Sequence, residues 1–186
     1  MIWMVLVLAI ALVGVLSVFN RLVQLRNRVA GSWSDIDVQL KRRHDLVGNL
    51  VEAVKGYAHH EQQVLQKVTA ARASAEGARS EGRPGAAGAA ESALSGEVGK
   101  LFALVEAYPD LKASEQFAAL HRALVDVEDD LQNARRYYNA VVRDLNTRIQ
   151  SVPDLLVARP FGFREREFFS LEDRQEAAVP RVELGS

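Results

Sequence analysis

The 186-residue chain contains no cysteine, which excludes disulfides, thiol nucleophiles and zinc–thiolate centres. It also lacks an excess of either charge, because 23 Lys and Arg stand against 24 Asp and Glu for a formal net charge of -1. Basic residues are interspersed with acidic ones and form no dominant basic face, so nucleic acid is not an expected partner. The most informative absence is local. Met1 to Phe19, MIWMVLVLAIALVGVLSVF, holds no Asp, Glu, Lys or Arg.

At about 1.5 Å per residue, a helix over residues 1–19 reaches about 28 Å, close to the hydrocarbon thickness of a bilayer. A secretory signal would need cations before a shorter apolar stretch and small residues at a cleavage site. Here no Lys or Arg precedes the run, and Ser17-Val18-Phe19 places a ring where a small residue is wanted. An uncleaved membrane anchor is therefore expected. Arg21, Arg26 and Arg28 follow the run directly. Cations near a span stay on the cytoplasmic side, so the N-terminus is expected outside and the body in the cytoplasm. The same three arginines are the candidate contacts for lipid headgroups.

Beyond the anchor, apolar residues recur at spacings of three and four. One stripe runs Leu22, Leu25, Val29, Trp33, Ile36, Leu40, Val47, Leu50, Val54 and Tyr57. A second runs Phe117, Leu120, Leu124, Val127, Leu131, Ala134, Tyr138, Val141 and Leu145. Each stripe implies a long amphipathic helix with one face to bury. The first is expected to continue through Gly56 towards Val64, Leu65 and Val68, with a kink possible between Gly48 and Gly56. The Gly-, Ala- and Pro-rich residues 76–88 mark a turn, and a further helix is expected from about Ala86, burying Leu94, Val98, Leu101, Phe102 and Val105. Tyr108-Pro109-Asp110 ends it, and Ser114 is placed to cap the next helix. The expected fold is all-α: an N-terminal transmembrane helix (1–19), an antiparallel bundle of three to four long helices (20–150) and a C-terminal tail (151–186).

Some residues break these patterns. Arg43 falls in phase with the first apolar stripe, so a carboxylate from Asp126, Asp130 or Asp144 is expected to meet it. His44, His59, His60 and His121 have no metalloprotease spacing and are expected to be surface or hydrogen-bonding residues, with no metal site. Arg135, Arg136 and Asn139 leave the stripe that Tyr138 continues, which makes them either interhelical polar groups or a partner surface. Phe161, Phe163, Phe168 and Phe169 form an aromatic cluster without helical period. They must fold back on the bundle, dock on a neighbouring subunit or meet the membrane. The polar residues from Arg174 onward are expected to be disordered.

Several motifs together resemble the LemA family. They are Asn20-Arg21-Leu22 after the span, Leu40-Lys41-Arg42-Arg43-His44-Asp45-Leu46-Val47-Gly48-Asn49-Leu50-Val51 with Val54-Lys55-Gly56-Tyr57, and Ala107-Tyr108-Pro109-Asp110-Leu111-Lys112. Ala134-Arg135-Arg136-Tyr137-Tyr138-Asn139, Val142-Arg143-Asp144-Leu145-Asn146 and Phe161-Gly162-Phe163 before Phe168-Phe169 extend the likeness along nearly the whole chain. The resemblance implies a bacterial inner-membrane protein with one span and a helical bundle. It implies no enzymatic activity. Gly48 departs from it, since many relatives have proline there, so a fixed proline kink is not carried over.

No nucleophile–base–orienter set or paired acid is recognisable by spacing, so a non-enzyme without cofactor is expected. The leading expectation is a membrane-anchored helical scaffold that contacts membrane lipid and self-associates as a homo-oligomer or organises other membrane proteins. The alternative, which the resemblance implies, is an adaptor for envelope protein quality control beside a membrane protease.

Overall fold

A computed structural model describes residues 1–57 and 61–170. His59 and His60, expected to be surface or hydrogen-bonding residues, and the polar tail from Arg174 therefore lie outside the described residues. Among the described residues there is no strand. Six helices follow in order: α1 (Ile2–Lys55), α2 (Gln62–Ser80), α3 (Pro84–Val105), α4 (Pro109–Lys112), α5 (Glu115–Gln150) and α6 (Asp154–Ala158). The chain is all-α, with a membrane-spanning helix at its start.

The charge-free stretch and the first apolar stripe form one unbroken 54-residue helix. The opening of α1 is long and apolar enough to cross a membrane, and none of that stretch is buried against protein. Ile2, Trp3, Leu8, Ile10 and Leu16 are all exposed. From Leu22 onward the same helix packs one face, through Leu22, Leu25, Val29, Ile36, Leu40, Val47, Leu50 and Val54. The helix thus changes its surroundings at Arg21 without changing its backbone.

α1 ends at Lys55, not beyond Gly56 as the stripe predicts, and a turn covers Gly56 and Tyr57. Tyr57 is half exposed although it is in phase with the stripe. The physical reason is visible in the sequence. Ala58, His59, His60 and Glu61 supply no large apolar side chain between Tyr57 and Val64. With little burial to offset the glycine's backbone entropy, the helix stops.

The expected turn within residues 76–88 falls at Glu81, Gly82 and Arg83, where Gly82 adopts φ +65°. Only glycine takes that conformation without steric cost. α3 begins at Pro84, slightly earlier than expected, because proline at the first helical position gives up a hydrogen bond that has no intrahelical partner. Ser114 caps α5 through its hydroxyl, which accepts from the Phe117 N–H at 3.5 Å.

The chain divides into two compact units. Unit 1 comprises Met1–Arg43 and Arg122–Phe168. Its core is Leu22, Leu25, Val29, Ile36 and Leu40 of α1 with Leu124, Val127, Leu131, Tyr138, Val141, Val142 and Leu145 of α5. The two helices run antiparallel, since Arg42 approaches Asp130 while Trp33 meets Tyr138, with ring centroids 5.6 Å apart. Unit 2 comprises His44–His121 and Phe169–Ser186. There α2 and α3 pack as an antiparallel hairpin, and Leu65, Val68, Leu94, Val98, Leu101 and Leu111 supply the core.

Candidate functional site

In unit 1, the three juxtamembrane arginines do not act alike. Arg21 and Arg28 are seven residues apart and fall on one stripe of α1 with Gln24 and Leu25, whereas Arg26 stands off it. Arg26 places its guanidinium 5.8 Å from the Phe163 ring centroid, within cation–π range. Phe161 and Phe163 in turn meet Phe19 edge-on, with ring centroids 5.0 and 5.7 Å away. The tail therefore brings two rings to the residue that ends the apolar run. Aromatic rings are favoured at that depth, where one face is apolar and the other wet.

Polar atoms fix the tail segment that follows. Asn146 on α5 donates through Nδ2 to the Arg166 carbonyl and accepts through Oδ1 from the Arg166 N–H, both at 2.9 Å. About two turns earlier on the helix, the Tyr138 hydroxyl donates to the Glu167 carbonyl at 2.9 Å. Burial pushes the Tyr138 hydroxyl up to about 12, with Arg166 opposing and Glu167 reinforcing the shift. The aromatic cluster is thus divided. Phe161 and Phe163 belong to unit 1, Phe168 remains partly exposed and Phe169 is completely buried in unit 2.

That burial depends on Gly88. A Cβ at this position would lie 2.2 Å from the Ser170 carbonyl oxygen and 2.9 Å from its carbon. Since both are backbone atoms, no rotamer change can make room. An otherwise unremarked glycine in an alanine-rich helix thus lets the tail lie against α3. Sequence spacing offers no signal for such a close approach.

Arg43 is buried and meets Glu128 at 3.1 Å. The expected carboxylate does come from α5, but it is neither Asp126, Asp130 nor Asp144. The longer Glu side chain reaches the arginine, while Asp130 approaches the exposed Arg42 at 3.9 Å. In unit 2, His44 Nε2 and Glu91 Oε1 share a hydrogen bond of 2.5 Å in a fully buried setting. Arg72 donates through Nε to the His44 carbonyl at 2.7 Å and passes Gly48 closely. Glu91 was not among the expected polar partners. Its signal was its position three residues before Leu94, on the buried stripe of α3. His121 lies at the surface against Phe102, their ring centroids 4.9 Å apart.

Arg135, Arg136 and Asn139 are brought to one side of α5 but have different surroundings. Arg135 and Asn139 are half-buried, whereas Arg136 is exposed and donates to Asn133 Oδ1. Tyr137 beside it is more than half exposed, opposite the buried Tyr138. The outward face of α5 in unit 1 therefore carries Asn133, Arg136, Tyr137 and Ala140. A binding surface there would use Tyr137, which the sequence reading did not select.

Among the described residues, one helix long and apolar enough to cross a membrane runs on into a packed helical body, the arrangement of a membrane-anchored all-α protein. The family model for the LemA family matches residues 32–184. The chain belongs to the LemA family. It is 27% identical to magnetosome protein MamQ of Magnetospirillum gryphiswaldense, over 81% of this chain and 64% of that protein. It is 25% identical to magnetosome protein MamQ 2 of Paramagnetospirillum magneticum with the same coverage. It is also 24% identical to protein LemA of Metamycoplasma hominis, over 89% of this chain and 74% of that protein. The match thus spans somewhat less than two thirds of the length of the magnetosome relatives.

Proposed function

We propose that the protein is a non-enzymatic scaffold of the bacterial inner membrane, which self-associates or holds other membrane proteins in place. The observation that carries this reading is the unbroken helix from Ile2 to Lys55, with an exposed apolar beginning and a packed continuation. A continuous helix couples the anchor to the body without a hinge, as a protein that positions others requires. The buried ionisable groups Arg43, His44 and Glu91 are engaged with other protein groups, which fits a structural use. The magnetosome relatives are named for a cellular structure and not for a reaction, and this also favours an organising role.

Within this reading the outward face of α5, with Arg136 and Tyr137, meets the partner, a second copy included. The body lies on the cytoplasmic side, where Arg21, Arg26 and Arg28 stay with the anionic leaflet. A photo-crosslinker at Tyr137 in the full-length protein, used in native membranes, tests the reading. Crosslinks to a second copy or to one discrete membrane protein are expected. Crosslinks to nothing, together with a monomer after gentle detergent extraction, would overturn it. Because the natural chain has no cysteine, a single cysteine introduced at exposed Ala140 also reports the side of the membrane by its access to an impermeant thiol reagent.

A further inference from the structure

Unit 1 contains a polar groove of about 560 Å³, lined on α1 by Arg21, Gln24, Leu25 and Arg28 and on α5 by Arg143, Asp144, Thr147 and Arg148. Four arginines line it. Asp154 holds Arg148 at 2.8 Å, and Asp144 lies in the wall. Four cations against these two carboxylates leave an excess of two positive charges. Among the described residues, Arg21, Arg28 and Arg143 have no carboxylate within ion-pair distance. Like charges gathered in a concave wall repel one another and focus a positive potential into the groove, which an anion relieves.

The donor set also has a definite chemical preference. Guanidinium forks match the oxygens of phosphate, and two forks from facing helices can take one phosphate from both sides. The Thr147 hydroxyl and the Gln24 amide supply neutral hydrogen-bonding groups beside them. Location adds a further argument. At 1.5 Å per residue, Arg21 lies about 3 Å and Arg28 about 14 Å along α1 from Phe19. That interval begins in the headgroup layer, which is roughly 5–8 Å deep on each side of a bilayer.

We propose that this groove binds a phosphate group of net negative charge, carried by an anionic phospholipid headgroup or by a soluble phosphate ester. The proposal stands independently of the scaffold reading, because it needs no protein partner. It also separates Arg21 and Arg28, which line the groove, from Arg26, which faces Phe163.

Full-length protein in neutral detergent can be titrated calorimetrically with dihexanoyl phosphatidylglycerol, dihexanoyl phosphatidylcholine and glycerol phosphate. Phosphatidylglycerol is expected to bind and phosphatidylcholine is not. Arg143→Gln and, separately, Arg28→Gln are expected to weaken binding about tenfold or more, the scale of one charged hydrogen bond. Arg122→Gln, an exposed change on α5 outside the groove, should leave it within about twofold. Binding of phosphatidylglycerol without glycerol phosphate supports the site and identifies the membrane as its source. Equal binding of glycerol phosphate supports the site with a soluble source. Failure of both anionic probes overturns the proposal, as does equal weakening by Arg143→Gln and Arg122→Gln in variants that melt like the parent.

Discussion

Arg43 and His44 are consecutive, yet they belong to different units, and the two units treat their polar groups differently. Unit 1 keeps its pair near water: the Arg43 side chain is 6% exposed and that of Glu128 33%. Unit 2 closes over its own, with His44 at 2% and Glu91 at 1%. A partly exposed polar pair retains solvent as a substitute partner, whereas a closed one has none. The same contrast holds for the tail. Unit 1 binds it through side-chain hydrogen bonds from Asn146 and Tyr138, while unit 2 admits it by the absence of a side chain at Gly88.

The contrast is broken most severely at Glu91. Glu91→Ala should destabilise the protein by about 3 kcal/mol, because it removes a fully buried hydrogen bond to His44 and leaves a cavity that water does not reach. Thermal melting followed by circular dichroism checks this, and a double His44→Leu, Glu91→Leu variant should recover much of the loss. Gly88→Ala is expected next, at about 2 kcal/mol, since the new methyl group must displace the Ser170 backbone. Hydrogen exchange should rise around Phe169, and unchanged exchange there would contradict the close approach.

Glu128→Ala should cost only about 1–2 kcal/mol, because the space that the part-exposed Glu128 vacates is open to water. A loss as large as that of Glu91→Ala would abolish the distinction between the two pairs. The smallest effect at neutral pH belongs to Tyr138→Phe, at about 1 kcal/mol for one neutral hydrogen bond. Its alkaline behaviour is more diagnostic. The folded-state value of about 12 lies above the ordinary 10.0, so the hydroxyl's stabilising contribution is present below pH 10. It is lost as pH rises through about 12, a decline of about 2 kcal/mol that melts between pH 9 and 12 should show in the parent and not in the phenylalanine variant.

Periodicity made the two long helices legible because burial along a helix repeats with the backbone. Leu22 to Val54 and Leu124 to Leu145 take their expected places, as do the turn at Gly82 and the cap at Ser114. Even the need of Arg43 for a carboxylate could be read from its phase. Which carboxylate it meets could not, since the axial offset of two antiparallel helices depends on packing over their whole length and not on either sequence stretch. Glu128 consequently replaces the three aspartates considered. The break after Lys55 is hidden by the apolar phase, which resumes at Val64 and Leu65, while Gly56 and the small or polar residues after Tyr57 offer the helix little to bury.

The candidate site was only half legible. Residues about two turns apart, such as Arg21 and Arg28, share a stripe by helical arithmetic alone. Their convergence with Arg143 and Arg148 requires the fold, because more than a hundred residues separate the two walls of the groove. The same holds for Phe161 and Phe163 reaching Phe19, and for Tyr138 finding a tail carbonyl.

The continuity of α1 makes the body a mechanical lever on the bilayer. A span accommodates thicker or thinner hydrocarbon by changing its tilt, and no break between Phe19 and Leu40 absorbs such a change. About 30 Å of helix separates those residues, so a tilt of about 10° carries Leu40 sideways by about 5 Å. Unit 1 therefore converts the thickness of its membrane into lateral displacement.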